Sequence, residues 1–133
     1  MTISVIVPCF NEEESIPLFH VAMEAVKYQI RDQFEYIFVN AGSTERTLAV
    51  LRELSSSCPD VNYLSFSRNF GKEAALYAGL QEASGDFVTV MDVDLQDPPE
   101  LLIEMKAMLD SNPELDCVGT RRTTREGEPP IRS

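Results

Sequence analysis

The sequence has no tryptophan, a single histidine, three cysteines, and half as many basic as acidic residues (11 against 22). The formal net charge of -11 argues against a nucleic-acid partner, because binding a phosphate backbone needs a basic surface. The odd number and wide spacing of the cysteines are typical of small core residues in a reducing compartment, and not of a disulfide framework or a zinc site. No apolar run has the length that a bilayer-spanning segment needs.

The N-terminus, "MTISVIVPCFNEEE", also lacks two features of a secretory signal. It has no basic segment before its apolar run and no small-residue cleavage site, so we predict a cytoplasmic chain without a signal peptide. A length of 133 residues is enough for one domain or for part of a larger one.

The chain alternates short apolar runs with segments of helical periodicity. The runs "ISVIVP", "EYIFVN", "VNYLSFS", "DFVTVMD" and "LDCVGT" are the predicted strands. This alternation predicts an α/β fold with a mostly parallel, Rossmann-like sheet flanked by helices. We predict one such domain over residues 1–120 and a basic tail over 121–133, and we interpret the chain as the N-terminal part of a longer protein.

Polar and charged residues collect where the predicted strands end. Since the carboxyl ends of parallel strands share one edge of the sheet, ligands are expected there. The candidates, in strand order, are Pro8, Asn11 and Glu12; Ala41, Gly42 and Ser43; Arg68 and Lys72; Asp92, Asp94 and Gln96; Arg121 and Arg122.

Asp92 and Asp94 give the strongest single signal. They stand two residues apart after a buried strand, so in an extended chain both carboxylates point the same way. Two close carboxylates repel unless a cation lies between them, and hard oxygen ligands suit Mg²⁺ or Mn²⁺ completed by substrate phosphates. An isolated D-x-D is more often a turn, but its position here favours a metal site.

The basic candidates allow two interpretations. Arg68, Lys72, Arg121 and Arg122 have the chemistry to hold a pyrophosphate or an anionic acceptor. Arg68 and Lys72 are equally suited to ordinary ion pairs with the many surface acids. Arg121 and Arg122 are slightly better placed, because the predicted fifth strand delivers them to the ligand-binding edge. The lone His20 falls beside the apolar face of the first helix and is predicted to be structural.

Four segments together resemble a known family: "VIVPCFNEEESI", "FVNAGSTERT", "SRNFGKEAALYAGL" and "VMDVDLQDPPE". They resemble family 2 glycosyltransferases with the GT-A fold. The resemblance is strongest to the polyprenyl-phosphate glycosyltransferases, the group of bactoprenol glucosyltransferases and dolichol-phosphate mannose synthases. It implies a metal-dependent, inverting transfer of a sugar from a nucleotide-diphosphate donor to a polyprenyl phosphate.

The resemblance also implies roles for the strand-end residues. The expected nucleotide-binding residues are Pro8, Asn11, Glu12, Ala41, Gly42, Ser43 and Asp92. The expected ligands of Mg²⁺ or Mn²⁺ are Asp92, Asp94 and Gln96. The expected contacts to the diphosphate or the acceptor phosphate are Arg68, Lys72, Arg121 and Arg122. A catalytic base, if the reaction uses one, is expected beyond Ser133.

The implied partners are a nucleotide-diphospho-sugar, with UDP favoured over GDP, and a lipid phosphate. A homo-oligomer is a further possible partner. The resemblance places the parent protein at the cytoplasmic face of a membrane, with membrane contact through a region after Ser133.

One position departs from the family pattern. Family members typically read "NDGS" or "DDGS" where this chain reads "NAGS", and that aspartate hydrogen-bonds the donor's base. Ala41 removes the acceptor, at a cost of roughly 1–3 kcal/mol in nucleotide affinity. The Asn40 side chain alternates to the other side of the strand end. The alternative function is therefore a degenerate transferase domain that acts as a binding or regulatory module.

Two other classes fit the residues less well. A response-regulator receiver needs a phosphoacceptor aspartate after the third strand, where this chain has Ser67-Arg68-Asn69. A nucleotidyltransferase usually carries a glycine-rich basic loop after the first strand, whereas "PCFNEEE" contains no glycine.

Overall fold

The computed structural model describes residues 1–42, 45–95 and 98–115, with the side chain of residue 45 left out. The chain divides into two compact units, Met1–Pro99 and Glu100–Ser133. The described part of the first unit alternates strands and helices: β1 (Thr2–Cys9), α1 (Ser15–Ile30), β2 (Gln33–Asn40), α2 (Glu45–Ser57), β3 (Val61–Ser65), α3 (Lys72–Glu82) and β4 (Phe87–Val90).

The four described strands form one sheet in the order β3-β2-β1-β4, and every neighbouring pair is parallel. The α/β fold with a mostly parallel sheet is therefore confirmed. β1 and β2 pair from Thr2 and Gln33 to Cys9 and Asn40. Their carboxyl ends consequently lie side by side, and β3 ends beside β2 at Ser65. Of the predicted fifth strand, only Leu115 is among the described residues.

The two central strands, β1 and β2, are almost entirely buried because helices cover the sheet. α1 buries an apolar stripe at helical spacing, and its buried residues are Ile16, Phe19, His20, Met23 and Val26. His20 lies edge-on to Tyr36 with ring centroids 5.1 Å apart. This buried position confirms its predicted structural place in the core.

α3 packs against β1 and β2 through a face of small residues, with Ala75 and Gly79 buried. A Cβ added at Gly79 would come within 2.5 Å of Ile6 Cγ2, in the cluster formed with Ile37 and Val39. The small side chains of α3 therefore let the helix approach the sheet closely.

Gly79→Val should destabilise the fold by about 1–3 kcal/mol, because the added methyl groups overpack a filled core. Denaturant unfolding measures the change. The matched control is Gln81→Val, which puts the same β-branched residue at an exposed position of α3 and should cost only about 0.5 kcal/mol of helix propensity. Equal losses for the two variants would contradict the packing assigned to Gly79.

The described part of the second unit, residues 100–115, contains α4 (Leu101–Ser111). Lys106 Nζ pairs with Asp110 Oδ2 at 2.7 Å, one helical turn away. The extent of the predicted domain over residues 1–120 stays a prediction, and the predicted tail over 121–133 falls outside the described residues. Among the described helices, none combines the length and apolar character that crossing a membrane requires.

Candidate functional site

A pocket of about 210 Å³ lies at the carboxyl edge of the sheet. Its lining comes from the ends of β1, β2 and β4 and from the loop and helix that follow β3: Pro8, Cys9, Phe10, Glu12, Ala41, Asn69, Lys72, Ala75 and Asp92. Five of these are predicted site residues, namely Pro8, Glu12, Ala41, Lys72 and Asp92. Fold topology thus brings together residues that lie far apart in the sequence.

The loop after β1 starts α1 and supplies one wall of the pocket. The Glu12 carbonyl accepts hydrogen bonds from the N–H groups of Ser15 and Ile16, at 3.0 and 3.1 Å. Asn11 is exposed and takes a left-handed φ of 52°, a conformation that asparagine tolerates better than most residues. It is not among the residues that line the pocket.

Cys9, at the end of β1, faces the pocket but is not a nucleophile. Its side chain is 3% exposed, and its thiol donates to the Val39 carbonyl over 3.5 Å. Burial, with a smaller contribution from the charge of Glu12, raises the pKa of the Cys9 thiol to about 12. The thiolate is therefore scarce at neutral pH.

The end of β2 places Ala41 in the pocket and turns Asn40 away from it. Ala41 is 7% exposed, and its N–H donates to the Cys9 carbonyl at 3.0 Å. The Asn40 side chain is buried and donates to Ser65 Oγ on β3 at 3.3 Å. The predicted alternation is confirmed, so the Asn40 amide does not replace the acceptor that Ala41 lacks.

Gly42 lies where the loop after β2 contacts the loop after β3. Its φ is +77°, and a Cβ added there would overlap the Arg68 carbonyl carbon and the Asn69 nitrogen and lie 2.8 Å from Arg68 Cα. Only a glycine lets the backbone after β2 approach the backbone after β3 this closely. Gly42 does not line the pocket, but it fixes the loop that carries Arg68 and Asn69.

Gly42→Ala should destabilise the chain by about 1–3 kcal/mol, because it adds backbone overlap to an unfavourable φ. Gly71→Ala is the matched control: Gly71 also has a positive φ, of 95°, but a Cβ there meets nothing within 4 Å. Urea unfolding of both variants gives the loss of unfolding free energy for each, and the difference between them is the cost of the backbone overlap. A loss for Gly42→Ala no larger than that for Gly71→Ala would contradict the tight loop contact.

The loop after β3 leads into α3 and carries the two described basic candidates. The Gly71 N–H donates to Asn69 Oδ1 at 2.7 Å, which forms a local turn. The Arg68 guanidinium carbon lies 4.8 Å from the centre of the Phe70 ring. Lys72 Nζ lies 3.4 Å from Asp92 Oδ1, with both side chains substantially exposed.

The segment after β4 is a turn and not a continuation of the strand. β4 ends at Val90, Leu95 has a φ of 60°, and its N–H donates to the Asp92 carbonyl at 3.3 Å. Val93 is buried between a partly exposed Asp92 and an exposed Asp94. The predicted extended geometry of the D-x-D segment is therefore wrong, although both aspartates are accessible to solvent.

The oxygens of Asp92 and Asp94 suit a divalent metal. The Lys72 ammonium already lies beside Asp92, so this carboxylate attracts a cation in the folded chain. Among the described residues no group of three or more acidic, cysteine or histidine side chains could enclose a metal ion. Carboxylate oxygens fit a Mg²⁺ or Mn²⁺ ion that takes its remaining ligands from water and phosphate. Asp92 lines the pocket, whereas Asp94 does not.

Four predicted site residues, Ser43, Gln96, Arg121 and Arg122, lie outside the described residues, so their placement stays a prediction. Conversely, the sequence did not single out Cys9, Phe10, Asn69 and Ala75 as lining residues. Phe10 and Asn69 follow strand ends, which is the signal that identifies them.

A larger cavity, of about 380 Å³, lies elsewhere and is lined by Glu35, Ile37, Ser55, Asn62, Tyr63, Leu64 and Glu82. Its lining has two glutamates and no lysine or arginine. The Glu35 carboxylate already accepts hydrogen bonds from Ser4 and Ser84. An anionic ligand is therefore better matched by the smaller pocket, which contains Lys72.

A family model for glycosyl transferase family 2 matches residues 4–133. The chain belongs to glycosyltransferase family 2, as the resemblance indicated. The chain is 49% identical over 102 residues to a bactoprenol glucosyl transferase of Shigella phage SfV, a match that covers 77% of the chain and 33% of that protein. It spans about a third of the length of the first curated relatives it matches.

Solved structures of glycosyltransferases share the fold. A TarS fragment from S. aureus in complex with UDP-GlcNAc matches with a TM-score of 0.65 and 27% identity, over 84% of this chain and 32% of that one. A mannosyltransferase from Pyrobaculum calidifontis, in complex with GDP-Man and Mn²⁺, matches with a TM-score of 0.61 and 27% identity, over 72% and 32%. The sheet described above is therefore that of GT-A glycosyltransferases.

Proposed function

We propose that this chain forms the donor-binding part of an inverting glycosyltransferase that moves a sugar from a nucleotide-diphosphate donor to a polyprenyl phosphate. One observation carries the proposal: a single pocket at the carboxyl edge brings Lys72 and Asp92 together beside Glu12 and Ala41. A cation and a carboxylate in one pocket match a ligand that is an anion bound with a metal ion. The relative from Shigella phage SfV, named a bactoprenol glucosyl transferase, supports the choice of acceptor.

Different residues bind different parts of the donor. Asp92 and Asp94, with Gln96, would hold the divalent ion, which stabilises negative charge on the leaving diphosphate when bound. Lys72 and Arg68 offset the remaining charge of the diphosphate, and Arg68 has the planar set of donors that matches phosphate oxygens. Glu12 and Pro8 line the wall beside the nucleotide.

Ala41 bears on the choice of base. Its methyl group offers no hydrogen-bond acceptor, so recognition of the base rests on shape and on neighbouring backbone groups. We propose a UDP-sugar donor, as the resemblance to the polyprenyl-phosphate glycosyltransferases implies. Among solved relatives, TarS binds UDP-GlcNAc and the P. calidifontis enzyme binds GDP-Man.

The transfer itself is a single displacement. An oxygen of the acceptor phosphate forms a bond to the anomeric carbon while the bond from that carbon to the diphosphate breaks, and the nucleoside diphosphate leaves with the electron pair. The acceptor phosphate is already anionic at neutral pH, so it needs less help from a general base than a hydroxyl does. Arg121 or Arg122 would hold it in line.

A polyprenyl acceptor places the reaction at a membrane, and we infer its cytoplasmic face. The free thiols of Cys9 and Cys58 are compatible with a reducing compartment.

The test is a transfer assay on the full-length protein with a radiolabelled UDP-sugar, Mg²⁺ or Mn²⁺, and a polyprenyl phosphate. We expect label to enter the organic phase only when metal and lipid phosphate are both present. A GDP-sugar is the matched donor control. Transfer from the GDP-sugar alone would overturn the choice of base, and transfer without the lipid phosphate would overturn the acceptor.

Ala41 in the pocket also favours a second candidate, a degenerate domain that binds a nucleotide-sugar without transferring it. The same assay separates the two functions. Metal-dependent nucleotide binding with no turnover by the full-length protein on any donor would favour the binding module.

A further inference from the structure

Arg68 is exposed and has no carboxylate ion pair among the described residues, although the chain carries twice as many acidic as basic residues. Its guanidinium instead lies over the Phe70 ring, with the carbon 4.8 Å from the ring centre. A carboxylate partner would occupy the N–H donors of the guanidinium, whereas contact with the face of an aromatic ring occupies none of them. Arg68 therefore keeps its charge and its donors available for an anion.

Phe70 is itself anchored to the core. Its ring lies 5.7 Å from that of Phe66, nearly perpendicular to it at 78°. Phe66 packs against the buried cluster of Ile6, Ile37, Val39 and Ala75. Its N–H also donates to the Asn40 carbonyl at 2.9 Å, next to Ala41. A chain of contacts thus runs from the core through two rings to the guanidinium.

The backbone around Arg68 is fixed on both sides. The close approach at Gly42 holds the peptide between Arg68 and Asn69, and the Asn69 side chain accepts the Gly71 N–H at 2.7 Å. Asn69 and Lys72 line the pocket, whereas Arg68 and Phe70, which flank Asn69 in the same loop, do not. Phe70 nevertheless leaves 52% of its surface exposed, which is unfavourable for a large apolar ring that serves packing alone.

We propose that Phe70 is a positioning residue that holds the guanidinium of Arg68, the chain neighbour of the pocket-lining Asn69, ready for the phosphate oxygens of a diphosphate ligand. This inference rests on the proposed function for the identity of that ligand. Phe70 does not touch the ligand itself, and it acts by limiting the rotamers of Arg68 before binding. The immobilisation cost of a long side chain is then met during folding and not during binding.

The experiment is a double-mutant cycle on the chain with Phe70→Leu, Arg68→Ala and the combination, titrated with inorganic diphosphate and with UDP plus Mn²⁺. A cation–π contact at an exposed site predicts roughly two- to fivefold weaker diphosphate binding for Phe70→Leu. Phe70→Tyr should keep the affinity, because it keeps the ring. Phe70→Leu should cause no further loss once Arg68 is alanine.

Tyr77→Leu is the matched control, since it removes another exposed aromatic, on α3, over which no arginine of the described part of the chain lies. A side-chain NMR signal of Arg68 shifted by the Phe70 ring, and lost in Phe70→Leu, gives a readout that a purely structural role would not move. Circular dichroism checks that each variant is folded.

The outcomes separate this inference from the proposed function. Unchanged diphosphate affinity in Phe70→Leu, an equal loss with and without Arg68, or no diphosphate binding by the unmodified chain would each overturn the positioning role. Diphosphate binding that depends on Phe70, together with no metal-dependent UDP or GDP binding, would support the positioning role and overturn the proposed function.

Discussion

Asp92→Asn should remove most of the metal-dependent binding of UDP and, in the full-length protein, lower kcat/KM by about 10²- to 10³-fold. The reason is the loss of a charged metal ligand, which weakens stabilisation of the leaving diphosphate by about 3–4 kcal/mol. Stability should change little, because the ion pair between Asp92 and Lys72 is exposed, and such pairs contribute about 0–1 kcal/mol.

The matched control for this prediction is Asp86→Asn. Asp86 precedes β4 at the opposite end of the strand, where its side chain accepts the Thr2 N–H at 2.9 Å. The asparagine keeps an acceptor oxygen and removes the same single charge. Calorimetric titration with UDP and Mn²⁺ compares the two variants. Equal losses in both would show that overall charge, and not a metal ligand, controls binding.

Ala41→Asp should tighten UDP binding by roughly 5- to 150-fold, which corresponds to about 1–3 kcal/mol for restoring one buried acceptor. Ala41 already lines the pocket and is 7% exposed, so the substitution adds a carboxylate to the pocket lining. The gain should be present for UDP and absent for inorganic diphosphate, since the aspartate is expected to contact the base.

Two variants sharpen that test. Ala41→Asn offers an acceptor without the charge and should give part of the gain. Asn62→Asp adds the same charge on β3, in the lining of the other cavity, and should give none. Weaker UDP binding by Ala41→Asp would mean that repulsion from Glu12 and Asp92 dominates, and it would contradict the base-contact role of this position.

Much of the fold followed from the sequence because its signals are local. β1 and β2 are short, mostly apolar runs, and such runs predict buried strands. Because parallel strands end at one edge of the sheet, the sequence alone predicted that Lys72, Asp92 and Ala41 lie close together. The alternation of side chains along β2 correctly predicted that Asn40 points away from the pocket.

Less could be predicted from the sequence where the backbone conformation departs from a regular strand. Asp92 and Asp94 were expected in an extended chain, but β4 ends at Val90. Leu95 takes a left-handed φ, which cannot be predicted from its residue type because leucine rarely adopts it. Two further features are contacts within and between loops: Gly42 with the Arg68 backbone, and Phe70 with the Arg68 side chain. Such contacts have no periodic pattern in the sequence from which they could be predicted.

The central claim is that the carboxyl edge binds a nucleoside diphosphate together with a divalent metal. The most direct measurement is a calorimetric titration of the unmodified chain with UDP, once with Mn²⁺ and once with a chelator. We expect UDP binding that requires the metal. UDP binding of equal strength in the presence of the chelator, or no binding under either condition, would contradict it.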